Sequence, residues 1–380
     1  MNILFVIKDS ALNRSMNTGI ENLAWGLAEQ GFRVSILSGG CAPGAHMYKL
    51  PPAVEYHFTG LSGDNPLNFV TPYKEQSAKR RNDFVIGWIT HIAPLVELPD
   101  SKHVQFISNQ GQIPSRSIPR RFVKKALSRK MPFFDAMKII FSIKKFSKKD
   151  FPVISNSVPV QEACIKTYKL SRDKCSVIPR GIDTEFFSPG ERLFSSEKPK
   201  ILFAGNVSPA KGIDDLIDAV LLIEMSVEIV LCGKCDEKYL ESLKNAIKSS
   251  CSDHSISFPG PISQNDLLLQ YRSCDLFVFP SHSEGMPKVL LEALSCGCAV
   301  ACSDIPSHKE VVTHGYDALV FPVRSPEGIA FAIKKILESR EKSDILRKNA
   351  RETSINNFSR NHEIQSWIDI LRKRRLSWHS

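Results

Sequence analysis

The stretch Phe277-Val-Phe-Pro280-Ser-His-Ser-Glu284-Gly-Met-Pro287-Lys-Val-Leu-Leu-Glu292-Ala-Leu294 reads as a strand, a tight loop and the start of a helix. The apolar run ends at Pro280, and Gly285 and Pro287 mark the turn. Pro287 suits a first helical position, where a missing N–H costs nothing. Two carboxylates, Glu284 and Glu292, stand eight residues apart, one before the helix and one inside it. At the rise of an α-helix that separation is about 12 Å, close to the reach of a nucleoside diphosphate sugar. Amides that open a helix suit a diphosphate, and the two acids can accept bonds from ribose and sugar hydroxyls. Two idle, solvated acids would show the same spacing, so the surrounding sequence has to decide.

Upstream of this stretch a β-α-β series starts at Lys200. Apolar runs at 201–204, 227–231, 256–258 and 276–279 read as strands, with short ones at 299–301 and 318–321. Helical spacing at 213–223, 237–249 and 264–272 fills the gaps. The first half opens in the same way. Ile3 to Ile7 is a strand, a polar loop ends at Gly19, and Ile20, Leu23, Ala24, Leu27 and Ala28 recur at helical spacing. Gly31 then closes the helix, and Arg33 to Leu37 is the next strand. Later strands are expected at 85–86, 104–107 and 153–154. Residues 178–199 have the composition of a linker. A chain of 380 residues exceeds one ordinary core, so two doubly wound α/β domains with right-handed crossovers are the economical architecture.

Composition excludes several classes. No apolar run approaches the ~20 residues of a membrane span. The apolar start Met1 to Lys8 lacks a basic leader and reads as a buried strand. Ten cysteines without framework spacing fit a reducing cytoplasm. Cys232-Gly-Lys-Cys235 and the group Cys296, Cys298 and Cys302 lack partners of matching spacing, so they read as small buried residues. No Walker loop is present and no G-x-G-x-x-G follows the first strand, which argues against kinases and dehydrogenases.

The net charge of +10 is concentrated. Residues 116–149 hold twelve Lys and Arg against Asp135 alone, interleaved with Phe122, Phe133, Phe134, Phe141 and Phe146. This pattern suits an anionic membrane surface, peripheral on the inner face of a cell membrane, or a polyanionic acceptor, the alternative being a solvated helix face with its apolar side toward the core; no nucleic-acid module accompanies it.

Several short motifs occur in order in the C-terminal half: Phe203-Ala-Gly205 with Lys211-Gly212, Cys274-Asp275 through Pro280-Ser281, Glu284 with Glu292, Gly297, and Glu310-Val-Val with Gly315. Their order resembles the retaining, nucleotide-sugar-dependent glycosyltransferases of glycosyltransferase family 4. The first half resembles that family more loosely, through the Gly19 loop and Ile178-Pro-Arg-Gly-Ile-Asp183. The resemblance implies a GT-B fold, two Rossmann-like domains facing a cleft. Its domains would be 1–185 on the acceptor side, 186–358 on the donor side, and a C-terminal helix at 359–380 packing back on the first.

The resemblance also implies roles. Glu284 would contact the donor sugar, with the amides of Gly285, Met286 and Pro287's neighbourhood near the phosphates. Lys211 would neutralise the diphosphate and act with Glu284 in catalysis. Glu292 would hold the ribose. Gly205 and Gly19 would let the backbone approach phosphate, and Ile262 would border the base. No metal or other cofactor is expected. The implied reaction moves a sugar, a UDP-sugar being favoured, to a surface-polysaccharide, lipopolysaccharide or lipid-linked acceptor. Two positions depart from the family. Asn206 stands where an Arg is usual, which removes a fork of phosphate donors that Arg180 is expected to replace. Ser108, Asn109 and Gln110 stand where a His is usual. These departures leave room for a catalytically weak nucleotide- or glycan-binding subunit.

Overall fold

The computed structural model describes residues 1–7, 18–39, 54–58, 65–80, 82–87, 92–96, 98, 105–110, 132–149, 151–192, 197–249 and 253–379. The chain divides into two compact units. Unit 1 comprises Met1–Arg180 and Glu363–Ser380, and unit 2 comprises Gly181–His362.

Unit 1 holds a seven-stranded sheet in which every neighbouring pair is parallel. Its strands are β1 (Asn2–Ile7), β2 (Arg33–Ser38), β3 (Val54–Phe58), β4 (Phe84–Gly87), β5 (Gln105–Gln110), β6 (Val153–Ser155) and β7 (Cys175–Val177). Their spatial order is 3-2-1-4-5-6-7. The helices are α1 (Thr18–Glu29), α2 (Val70–Lys79), α3 (Phe133–Lys148) and α4 (Val158–Tyr168). Alternate residues of β1 feed opposite faces, as a strand's period of two dictates. Leu4 and Val6 pack with Phe69, Tyr73, Ile139 and Phe146 on one face. Ile3 and Phe5 pack with Leu23 and Leu27 of α1 on the other, where Ile364, Trp367, Ile368 and Leu371 complete the core.

Unit 2 repeats the plan with β8 (Lys200–Ala204), β9 (Glu228–Cys232), β10 (Ser255–Gly260), β11 (Leu276–Phe279), β12 (Val300–Ser303) and β13 (Leu319–Phe321). All are parallel, in the order 10-9-8-11-12-13. Helices α5 (Ile213–Leu221), α6 (Glu237–Ser249), α7 (Gln264–Ser273), α8 (Lys288–Ser295), α9 (Pro306–Lys309), α10 (Pro326–Leu337) and α11 (Arg340–Phe358) cover it, and α12 (Arg360–His379) ends the chain. The amphipathic helix α5 shows why these pieces lock together: Ile213, Leu216, Ile217 and Val220 are buried while Asp214 and Asp218 face water.

Both sheets are therefore doubly wound. The strand order reverses between β1 and β4 in unit 1 and between β8 and β11 in unit 2, the places where such folds bind ligands. Two edge strands, β3 and β7, went unmarked in the sequence. Cys175–Val177 is only three residues long, and Val54–Phe58 mixes Glu and His into its alternation. Among the described residues no helix is long and apolar enough to cross a membrane.

Candidate nucleotide-sugar site

The switch point of unit 2 brings together the loop after β8 and the loop after β11. Their contact requires a glycine. Gly212 has φ +69, and a Cβ there would lie 2.2 Å from the carbonyl oxygen of Pro280. A second stitch is His282, whose N–H donates to the Ala210 carbonyl at 3.2 Å. Its Nε2 pairs with Asp215 Oδ2, in the first turn of α5, at 2.6 Å. Asp215 and His282 are 67 residues apart in sequence, and no spacing rule pointed to the pair.

These stitches put Lys211 against Glu284. The Lys211 ammonium is paired with Glu284 Oε1, and Ser281 Oγ donates to the same oxygen at 2.7 Å. Glu284 Oε2 has no partner among the described residues. One oxygen is thus anchored and the other is left to accept from a ligand hydroxyl. A buried relay supports the loop from below. Ser303 Oγ donates to the Ser281 carbonyl at 2.6 Å, and His308 Nδ1 lies 2.9 Å from the Ser303 carbonyl. A carbonyl can only accept, so Nδ1 carries the proton and Nε2 keeps its lone pair. Burial pushes the His308 pKa down to about 4, so the ring is neutral at pH 7.

Helix α8 begins one residue later than the sequence suggested. Pro287 is its N-cap, with extended backbone, not its first helical residue. No side chain caps this end, so the first-turn amides are the orphan donors that suit an anion. Gly285 precedes them, while the Met286 side chain is buried in the core and leaves only its backbone for a ligand. Asn206 is exposed just after Gly205, and Ile262 is half-buried against the same core.

Glu292 differs from Glu284. It is 3 % exposed, on a helix whose residues from Leu290 to Ser295 are all buried. Tyr271 donates to its Oε2 at 3.1 Å, and Lys288 lies 3.2 Å from Oε1. Burial, with the Glu292 charge second, holds the Tyr271 pKa well above its usual value, so it stays a donor. A buried carboxylate requires such partners. Asp275, part of the motif set, is a structural residue. Arg192 forks onto it at 2.6 and 2.9 Å, and the Lys200 N–H donates to it at 2.7 Å. Burial alone would raise its pKa, and the Arg192 and Lys200 bonds outweigh that and hold it below the usual carboxylate range.

Gly19 and Arg180 belong to unit 1. Gly19 lies in the first turn of α1, and Arg180 is the half-buried last residue before unit 2. Ser108, Asn109 and Gln110 end β5, which is described by its backbone alone. Among the described residues no group of three or more His, Cys, Asp or Glu could hold a metal ion. Cys232 is buried and its thiol is pushed up to about 12, so it is not a reactive thiolate.

Residues 185–353 match the family model described as Glycosyl transferases group 1, and this stretch holds every unit 2 residue of the site above. That stretch is similar to group 1 glycosyl transferases. The chain has relatives of modest similarity. An uncharacterized glycosyltransferase of Methanocaldococcus jannaschii is 27% identical over 184 residues, covering 48% of this chain and 49% of the relative. The N,N'-diacetylbacillosaminyl-diphospho-undecaprenol alpha-1,3-N-acetylgalactosaminyltransferase of Campylobacter jejuni is 24% identical over 241 residues, covering 58% of this chain and 61% of the relative. The chain thus spans about half to three fifths of these relatives' lengths. A solved structure of Anabaena Alr3699/HepE in complex with UDP superposes with a TM-score of 0.76 at 18% identity, covering 98% of this chain and all of that one. At that identity the likeness shows the fold, which is GT-B.

Proposed function

We propose that the chain serves a retaining transfer of a hexosyl or N-acetylhexosaminyl group. The donor is a nucleoside diphosphate sugar, UDP-linked by preference, and the acceptor is a lipid-linked or surface glycan. The carrying observation is the Lys211–Glu284 pair at the switch point, beside the uncapped start of α8. The diphospho-undecaprenol in the Campylobacter relative's name supports a lipid-linked acceptor. UDP in the Anabaena structure supports the base.

In this reading the bond from the anomeric carbon to the donor phosphate breaks, and its electron pair goes to the phosphate oxygen. Lys211 and the α8 amides stabilise that charge, a fixed cation and oriented dipoles acting without reorganisation. The sugar passes through an oxocarbenium-like centre, while Glu284 Oε2 accepts from a sugar hydroxyl. The acceptor hydroxyl attacks on the same face and gives its proton to the departing phosphate, so no protein nucleophile and no metal enters the scheme. Glu292 receives the ribose once Lys288 yields Oε1.

A thermal-shift screen with UDP, GDP, ADP and CMP tests the reading, because a ligand bound only by the native state raises the melting point. UDP should give the largest rise, and Lys211→Ala should abolish it. No rise with any nucleotide would sink the proposal. Asn206, exposed where the family carries Arg, favours a second reading, a binding subunit without turnover. Nucleotide binding with no isotope release from labelled nucleotide sugars would select it.

A further inference from the structure

Helix α3 carries a second apolar face that its own core does not use. Ala136, Ile139, Ile143 and Phe146 are buried against unit 1. Roughly opposite them, at 3.6 residues per turn, stand Phe133, Phe134, Met137 and Phe141, exposed to 57, 79, 45 and 60 %. A helix face turned to water should be polar, and four large apolar side chains on one such face mark an interaction surface. The same face carries Lys138, Lys144, Lys145 and Lys148, with Lys149 just beyond, all exposed. The aromatic residues fill the first turns and most of the lysines the last. Lys145 lies 5.0 Å from the centre of the Phe141 ring. The helix's one acid, Asp135, accepts from Asn65 Nδ2 at 3.1 Å, and its single charge stands against these lysines. Arg116 to Lys130, the other half of the basic stretch, lie outside the described residues.

Charge is also sorted between the units. Unit 1 holds 30 Lys and Arg against 15 Asp and Glu, and unit 2 holds 20 against 25. The excess that gives the chain its net +10 therefore lies wholly in the unit that bears α3.

We propose that α3 docks unit 1 on an anionic bilayer. Phe133, Phe134, Met137 and Phe141 enter the boundary between headgroups and acyl chains, and Lys138, Lys144, Lys145, Lys148 and Lys149 lie among the lipid phosphates. Aromatic groups give depth and lysines give preference for anionic lipid, the two components of interfacial helix binding. A second copy of this face would set lysines against lysines, whereas an anionic bilayer complements a face of one sign. The docking stands on α3 alone and does not depend on the transfer reaction.

Flotation of the full chain with phosphatidylcholine vesicles, with and without phosphatidylglycerol, tests it without any donor present. Binding should require phosphatidylglycerol and weaken with salt. Phe134→Ser with Phe141→Ser should lower partitioning by about tenfold or more. Each of Lys144→Glu, Lys145→Glu and Lys148→Glu should lower it by about fivefold or more. All five side chains are exposed, so an unchanged melting point certifies the fold. Phe134→Trp supplies an independent readout, a blue shift of the indole emission on anionic vesicles. Absence of flotation at low salt overturns the proposal. So does flotation that survives the Phe and Lys variants while the emission of the Phe134→Trp variant stays unshifted. Self-association through α3, seen by light scattering in place of lipid binding, also overturns it.

Discussion

At the residue scale, two glutamates eight positions apart have different environments. Glu284 keeps one oxygen without a partner among the described residues, and Glu292 is closed by Tyr271 and Lys288. Glu284→Gln keeps the shape and removes the charge. Loss of a hydrogen bond to a charged group is worth about 1.5–3 kcal/mol, so kcat/KM should fall by about 10- to 100-fold while the melting point holds, as steady-state kinetics and calorimetry would show. His308 gives a pH prediction. Its folded pKa of about 4 lies below the usual 6.5, so the unfolded chain binds more protons between those values. Its contribution is complete above about pH 6.5 and is lost as pH falls towards 4. The slope of unfolding free energy against pH should be visibly shallower in His308→Phe over that window, and an unchanged slope would contradict the buried neutral ring. The glutamate spacing and the lysine were legible in the sequence. Tyr271, Asp215 and the Ser303–His308 relay were not, because each partner arrives from a different element.

At the element scale, the site depends on two loops that meet backbone to backbone. Gly212→Ala places a methyl group 2.2 Å from the Pro280 carbonyl and also strains a left-handed φ. Strain of that kind alone costs about 1–3 kcal/mol. The variant should melt at a lower temperature and lose nucleotide binding together, since the same contact holds Lys211 beside Glu284. Normal binding at normal stability would refute the stitch. The strands of unit 2 and its helices α5 to α8 were readable because their apolar periods are strong, whereas α9, α10 and α11 went unmarked. The edge strands β3 and β7 were not readable, because β7 is only three residues long and β3 mixes Glu and His into its alternation.

At the scale of the whole molecule, the chain's end belongs to its beginning. Trp367, 1 % exposed, packs in the core with Ile3, Phe5 and Leu23. Trp367→Ala should cost about 3–5 kcal/mol, the usual figure for a large aromatic in a core. The loss should fall on unit 1, so a calorimetric trace should show the unit 1 transition moving down while that of unit 2 stays. A uniform shift of both would mean that the units unfold as one body.

The sequence by itself determined the doubly wound α/β class and marked the loop and helix start that carry the candidate site, because hydrophobic period and glycine placement are local properties. It also showed a concentrated basic stretch. Only the tertiary structure decided which carboxylate stays open, which motif residue is merely structural, as Asp275 is, and which aromatic residues of that basic stretch face water. Burial and hydrogen-bond partners depend on which elements meet in space, and that is settled by the packing of the whole unit.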